Sequence, residues 1–111
     1  MVEYRDERLD AVFGALSHPV RRGILEHLRP GETKVTDLAA PFAMSLAAVS
    51  KHIRVLEEAG LVRRTVRGRE HHLALEASPL VIAERWVETY RLFWDSRLDL
   101  LATKLQRRRG R

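Results

Sequence analysis

The chain has 111 residues, 45% of them apolar, which suffices for one compact core and leaves too little for a second domain of ordinary size. It has no cysteine, so disulfides and thiolate metal sites are excluded, and no apolar run approaches membrane-spanning length. The formal net charge is +5, but Arg107, Arg108, Arg109 and Arg111 supply +4 of it and leave the body at +1, so a case for a polyanionic partner must rest on where charges cluster. Met1 to Asp10 is charged rather than apolar and gives no signal peptide, so the expectation is a cytoplasmic protein with no membrane association.

Arg8 to Leu16 places Leu9, Val12, Phe13 and Leu16 on one stripe of a short helix, which must pack against something. Ser17-His18-Pro19 marks a boundary and a new helix, with Ser17 or His18 as cap and Pro19 in the first turn, where its missing N–H costs nothing. Val20, Ile24, Leu25 and Leu28 form the inner stripe of this second helix, with Arg21, Arg22 and Glu26 off it, and Pro30-Gly31 ends it. Glu32 to Val35 suits a single β-bridge to a later hairpin. Thr36 looks like the cap of a short helix closed by Pro41, with Asp37 near the positive end of its dipole. A turn of three or four residues then leads to the cap Ser45, the spacing of a helix-turn-helix.

Leu46, Val49, Ile53 and Leu56 recur at helical spacing, and Gly60 stops that helix, predicted over residues 45–59. At about 100° per residue, Ala47, Lys51 and Arg54 fall opposite the apolar side, with Ala48 and Ser50 at its margins. Such a face suits base edges, because alanine and serine are short enough to meet a thymine methyl or a base heteroatom, while Lys51 and Arg54 reach phosphate or guanine. His52 sits at the boundary of the two faces. A lone histidine there rarely ligates metal without partners, which favours a structural or phosphate-contacting role over a metal ligand or base reader.

From Leu61 the pattern turns to β-type alternation, interrupted at Arg67-Gly68 and resumed over His71 to Leu75, so a two-stranded ribbon spans residues 61–75. Between Gly60 and Arg69 stand Arg63, Arg64, Arg67 and Arg69 with no acid among them. A helix with a small polar face followed by a cationic ribbon can enter a major groove while the ribbon tip grips phosphates.

Ser78-Pro79 starts a last helix, predicted over 79–105, on which Val87, Tyr90, Trp94, Leu98, Leu101 and Leu105 form one apolar line and Trp86, Phe93 and Leu100 a second beside it. This is more apolar surface than one small domain covers. A two-fold dimer, in which this helix and Leu9, Val12, Phe13 and Leu16 of the first helix pack on partner copies, is the expected solution; aromatics that merely fill the core of one protomer are the alternative. Residues 106–111 are expected to form a disordered basic tail making nonspecific electrostatic contacts. The fold class is therefore mainly α with a small β-hairpin, a winged helix-turn-helix in one domain over residues 1–105.

The runs LSHPVRRGILEHL (Leu16–Leu28) and TDLAAPFAMSLAAVSKHIRVLEEAGLVRR (Thr36–Arg64), with the Gly68 hairpin, resemble the ArsR-type family of bacterial winged-helix repressors over about Ala11 to Leu75. The resemblance implies a homodimer on a double-stranded operator with two half-sites, each protomer setting its second helix-turn-helix helix in a major groove and its wing on the flanking backbone. It implies Ser45, Ala47, Ala48, Ser50, Lys51 and His52 as reading residues, to which the helical wheel adds Arg54; Arg63, Arg64, Arg67, Gly68, Arg69 and His71 are the wing candidates. Metal-sensing members carry a Cys-Val-Cys-Asp-Leu run where this chain has Lys34-Val35-Thr36-Asp37-Leu38, and no histidine follows His72 to build the site that others place on the last helix. Glu84, Glu88, Asp95 and Asp99 fit surface pairs with Arg85, Arg91 and Arg97 instead. Neither metal nor cofactor is expected, and the effector is an unspecified small molecule or protein.

Nothing in the sequence assembles a catalytic set. His71 and His72 are adjacent in a strand, so their rings face opposite ways, and Ser45 and Ser50 have cap and surface roles. The expectation is a sequence-specific DNA-binding regulator, a repressor and not an enzyme. The alternative is a winged-helix module for protein association whose basic hairpin is only a solvated surface.

Overall fold

Asp6, outside the first predicted helix, is its cap: its Oδ1 accepts from the backbone N–H of Arg8 and of Leu9, both at 3.1 Å, at the start of α1 (Glu7–Leu16). In the computed structural model, which describes residues 6–109, α1 is followed by α2 (Pro19–Leu28), β1 (Thr33–Lys34), α3 (Val35–Ala39), α4 (Leu46–Glu58), β2 (Val62–Arg67), β3 (Glu70–Leu75) and α5 (Leu80–Arg109). His18 is the cap of α2, its Nδ1 accepting from Val20 N–H at 3.1 Å, with Pro19 in the first turn as expected. The last carbonyls of α1 are satisfied from α2: Arg21 Nε and Nη2 donate to Ala15 and Gly14, and Arg22 Nη1 donates to Leu16.

The sheet order is β1-β3-β2, all antiparallel, with Thr33 opposite Leu73 and Lys34 opposite His72. This pairing also corrects the expected start of α3. Lys34 is still extended and pairs with the sheet, so α3 begins at once with Val35; Lys34 occupies the cap position without a side-chain bond, and Thr36 lies in the first turn. Residues 40–45 join α3 to α4, a longer connection than the expected three or four residues.

Ser45 caps α4 as expected, its Oγ accepting from Ala48 N–H at 3.1 Å. At the other end Gly60, with φ +75°, lets Leu61 N–H reach back to the Leu56 carbonyl at 2.9 Å, the bond that closes a Schellman stop. Gly68, with φ +63°, occupies the first central position of the two-residue turn between Arg67 and Glu70, where a type II′ hairpin requires glycine.

Ala15, Ile24, Leu28, Leu38, Val49, Ile53, Leu56, Leu61, Val62 and Leu73 make one core joining α1 to α4 and the sheet. Leu46, expected on the inner side, is instead 50% exposed. It stands about 50° from the centre of the buried arc formed by Val49, Ile53 and Leu56, at the open end of the helix.

Of α5 only Ala83 is buried. Val87, Tyr90, Trp94, Leu98, Leu101 and Leu105 are each about half exposed, which removes the alternative that these residues fill the core of one protomer. Phe13 and Trp86 meet edge to face with centroids 5.4 Å apart. Val12 is 1% exposed inside the protomer and so leaves the expected set of partner-contacting residues. The helix runs on through Arg109, so residues 106–109 are helical and not the expected disordered tail; no breaker intervenes before Gly110, and residues 110–111 lie outside the described residues. Among the described residues no helix is long and apolar enough to cross a membrane.

Candidate nucleic-acid interface

The outward side of α4 is open. Ser45, Ala47, Lys51 and Arg54 are exposed and Ala48 and Ser50 half-buried, the distribution expected of a short-side-chain face ringed by two cations. Beside it runs a groove of about 300 Å³ between helix and wing, lined by Leu46 and Ser50 of the helix, by Arg64, Arg69, Glu70 and His71 of the wing, and by residues 34–36. Leu46 thus faces the same space as the wing cations. Helical periodicity assigned it to the interior because the pattern cannot tell where the covering neighbours stop.

His52 departs from its place among the reading residues. It is half-buried, its ring 4.3 Å from that of His18, and its Nδ1 lies 3.2 Å from Arg21 Nη1. Arginine can only donate, so Nδ1 is the acceptor and the neutral ring carries its proton on Nε2. Desolvation holds the imidazole below its ordinary pKa, and His18 and then Arg21 push in the same direction. This is the structural role; the ring turns toward α2 and away from the outward face.

The run from Gly60 to Arg69 holds no acid, but three of its four arginines have one in space. Arg64 bonds Glu57 of α4 with two nitrogens, at 2.7 and 3.2 Å, and donates to His71 Nδ1 at 3.0 Å, so two wing candidates fasten the ribbon to the helix. Arg63 lies 3.8 Å from Glu76. Arg67 pairs with Glu32 from the turn between α2 and β1. Among the described residues no ion pair involves Arg69, which follows Gly68 at the exposed tip.

The alternation of the strands sorts these groups. Arg64 and His71 face the helix, while Arg67, Glu70 and His72 lie on the other face with Lys34. There Glu70 accepts from Lys34 at 3.1 Å and contacts His72 at 3.0 Å, and these hydrogen bonds, that of Lys34 foremost, hold its carboxyl below the usual range. Among the described residues no three His, Asp or Glu side chains converge as a metal-ligand set.

Helix-turn-helix α3–α4, cap Ser45, stop Gly60 and an arginine-bearing ribbon together define a winged helix-turn-helix. The helix-turn-helix domain model matches residues 16–65. An ArsR family transcriptional regulator of known crystal structure is 37% identical, superposes with a TM-score of 0.76 and is covered over 98% of its length, against 80% of this chain. An ArsR-like regulator from Rhodococcus sp. RHA1 is 32% identical, with a TM-score of 0.69 over 85% of this chain and 89% of that one. The transcriptional repressor SdpR of Bacillus subtilis is 29% identical over 79 residues, 71% of this chain and 88% of SdpR. The HTH-type transcriptional regulator NmtR of Mycobacterium tuberculosis is 47% identical over 55 residues, half of this chain and 46% of NmtR. The chain belongs to the ArsR family, and it is a DNA-binding transcriptional regulator.

Proposed function

We propose that the chain acts as a homodimeric repressor, each protomer laying the Ser45, Ala47, Ala48, Ser50, Lys51 and Arg54 side of α4 in a major groove and resting its wing tip, Arg67, Gly68 and Arg69, on the flanking phosphates. The observation that carries this is the open face of α4 beside a groove whose wing side bears Arg64, Arg69 and His71 with one acid, Glu70. Short side chains there permit close approach to base edges, and the cations at the rim meet the backbone. Arg64 acts within the protein, setting the ribbon against the helix, and His52 does the same for α2 and α4.

The dimer rests on α5. A line of half-exposed aromatics and leucines from Val87 to Leu105 is too apolar to stay in water, and a second copy related by a two-fold axis would cover it together with Phe13. Repression follows from the simplest action of such a dimer, blocking access to the DNA it occupies, and agrees with the name of the relative SdpR. The work is binding without catalysis, carried out in the cytoplasm.

Selection of bound fragments from random duplexes, followed by a salt titration, tests the reading. A pseudo-palindromic site and a steep loss of affinity with salt are expected, since each neutralised phosphate releases counterions. Duplex binding that is flat in salt, or absent at low salt, would assign the chain to protein association instead.

A further inference from the structure

We propose that Glu32 sets the strength of sequence-independent binding at this interface: by occupying the guanidinium of Arg67 it withholds one wing-tip cation from the phosphate backbone and keeps binding to non-operator DNA weak. The inference rests on the wing tip meeting phosphate, as proposed above.

Glu32 is held in place by its backbone. Gly31 N–H donates to the Leu28 carbonyl at 3.1 Å, Thr33 Oγ1 donates to the Gly31 carbonyl at 3.1 Å, and Thr33 is paired with Leu73 in the sheet. Between these anchors the Glu32 carboxylate lies against Arg67 Nη1 and 3.4 Å from His72 Nδ1. A carboxylate so placed offers the guanidinium what a phosphate offers, an anionic oxygen at hydrogen-bonding distance.

Competition requires that the pair can be opened, and exposure decides that. The Arg67 side chain is 59% exposed and that of Glu32 34%, a regime in which an ion pair is weak and a phosphate can displace it. Arg64, by contrast, is clamped in two places and less exposed, so it stays with Glu57. The tip therefore carries one arginine, Arg69, without an internal carboxylate among the described residues, and a second, Arg67, that must leave Glu32 to reach DNA. Phosphate contacts hold every sequence alike, so competition for one of them lowers affinity for every duplex, and non-operator DNA, bound through such contacts, shows the effect without base readout.

The test is a double-mutant cycle on binding to a short non-operator duplex, read by fluorescence anisotropy between about 50 and 200 mM salt. Glu32→Gln, with its folding confirmed by thermal melting, is expected to bind up to about fivefold tighter than the unaltered protein, the factor that a partly exposed ion pair commands. Its salt slope should steepen by up to about 0.9, the share of one phosphate. In an Arg67→Ala background the same substitution should change neither quantity. Equal affinity and slope for Glu32→Gln and the unaltered protein overturn the proposal, and so does weaker binding, which would mean that Glu32 orients Arg67 for DNA. Tightening that survives intact in the Arg67→Ala background overturns it as well, since loss of a negative charge near DNA would then explain everything. Absence of duplex binding by every variant at low salt removes the interface reading itself, and this inference with it.

Discussion

Arg64 on β2 and Glu57 on α4 form a two-pronged bridge, Nη2 to Oε1 at 2.7 Å and Nε to Oε2 at 3.2 Å, with the side chains 27% and 29% exposed. Paired forks hold direction as well as distance, so this bridge fixes the angle at which the ribbon leaves the helix. Arg64→Met and Glu57→Met are each expected to cost about 1 kcal/mol in urea unfolding, and the double variant less than their sum. Additive losses would mean that the two side chains act independently. Amide exchange across residues 62–75 should quicken in both single variants.

Acid should loosen the joint between α2 and α4. The folded-state pKa of His52 lies below its ordinary 6.5, so the unfolded chain takes up the proton first, and the contribution is complete above that value and lost as pH falls through the lower, folded one. His52 must keep Nδ1 bare to accept from Arg21, so a proton added there breaks that bond. Thermal midpoints are expected to drop between neutral pH and about pH 5, and His52→Gln, whose amide oxygen can accept from Arg21, should flatten that drop. A midpoint independent of pH in this window would contradict the geometry of the cluster.

Leu46 and Ile53 share a helix and a residue class but not an environment, being 50% and 0% exposed. Leu46→Ala is expected to stay within about 0.5 kcal/mol of the parent stability. Ile53→Ala should lose about 2 to 5 kcal/mol in the same unfolding experiment. Similar losses at both positions would place Leu46 back in the core.

Base reading and phosphate holding should separate by substitution. Ser50→Ala with Lys51→Ala is expected to narrow the ratio between operator and random duplex, each lost base contact being worth about 1 to 3 kcal/mol. Arg69→Ala should weaken both duplexes alike and flatten the salt dependence by about 0.9. An operator preference unchanged after the double substitution would mean that α4 is not the reader.

Trp94→Glu and Leu98→Glu place a charge in the middle of the exposed line on α5 while touching nothing buried. Both are expected to sediment as folded monomers at micromolar concentration where the parent is a dimer, because an unpaired charge inside an apolar interface is costly to desolvate. A parent protein that sediments as a monomer would refute the proposed assembly.

Most of the frame was legible because its signals are local. Ser45 and His18 cap from within one turn of their helices, Gly60 and Gly68 sit where positive φ is needed, and of the stripes of α2 and α4 Ile24, Leu28, Val49, Ile53 and Leu56 are buried while Leu46 is not. What the sequence concealed depends on partners far along the chain. Thr36 resembles a cap, but the pairing of Lys34 with His72 decides where α3 begins. Arg67 pairs not with Glu70, three residues on, but with Glu32, 35 positions away, and Glu57 reaches Arg64 across a helix end and a turn. His52 lies on the margin of a helical wheel, and only the approach of His18 and Arg21 turns it inward.

Arg21 ties three elements together: from its place in α2 its guanidinium reaches the terminal carbonyls of α1 through Nε and Nη2 and His52 of α4 through Nη1. Bonds of 2.7 to 3.2 Å tolerate little stretching, so a shift of the last turn of α1 is handed on to the helix bearing Lys51 and Arg54 or else snaps a link. A strut of this kind makes the outer hydrophobic flank and the polar front of the molecule one mechanical body, in which neither can be displaced without the other registering it.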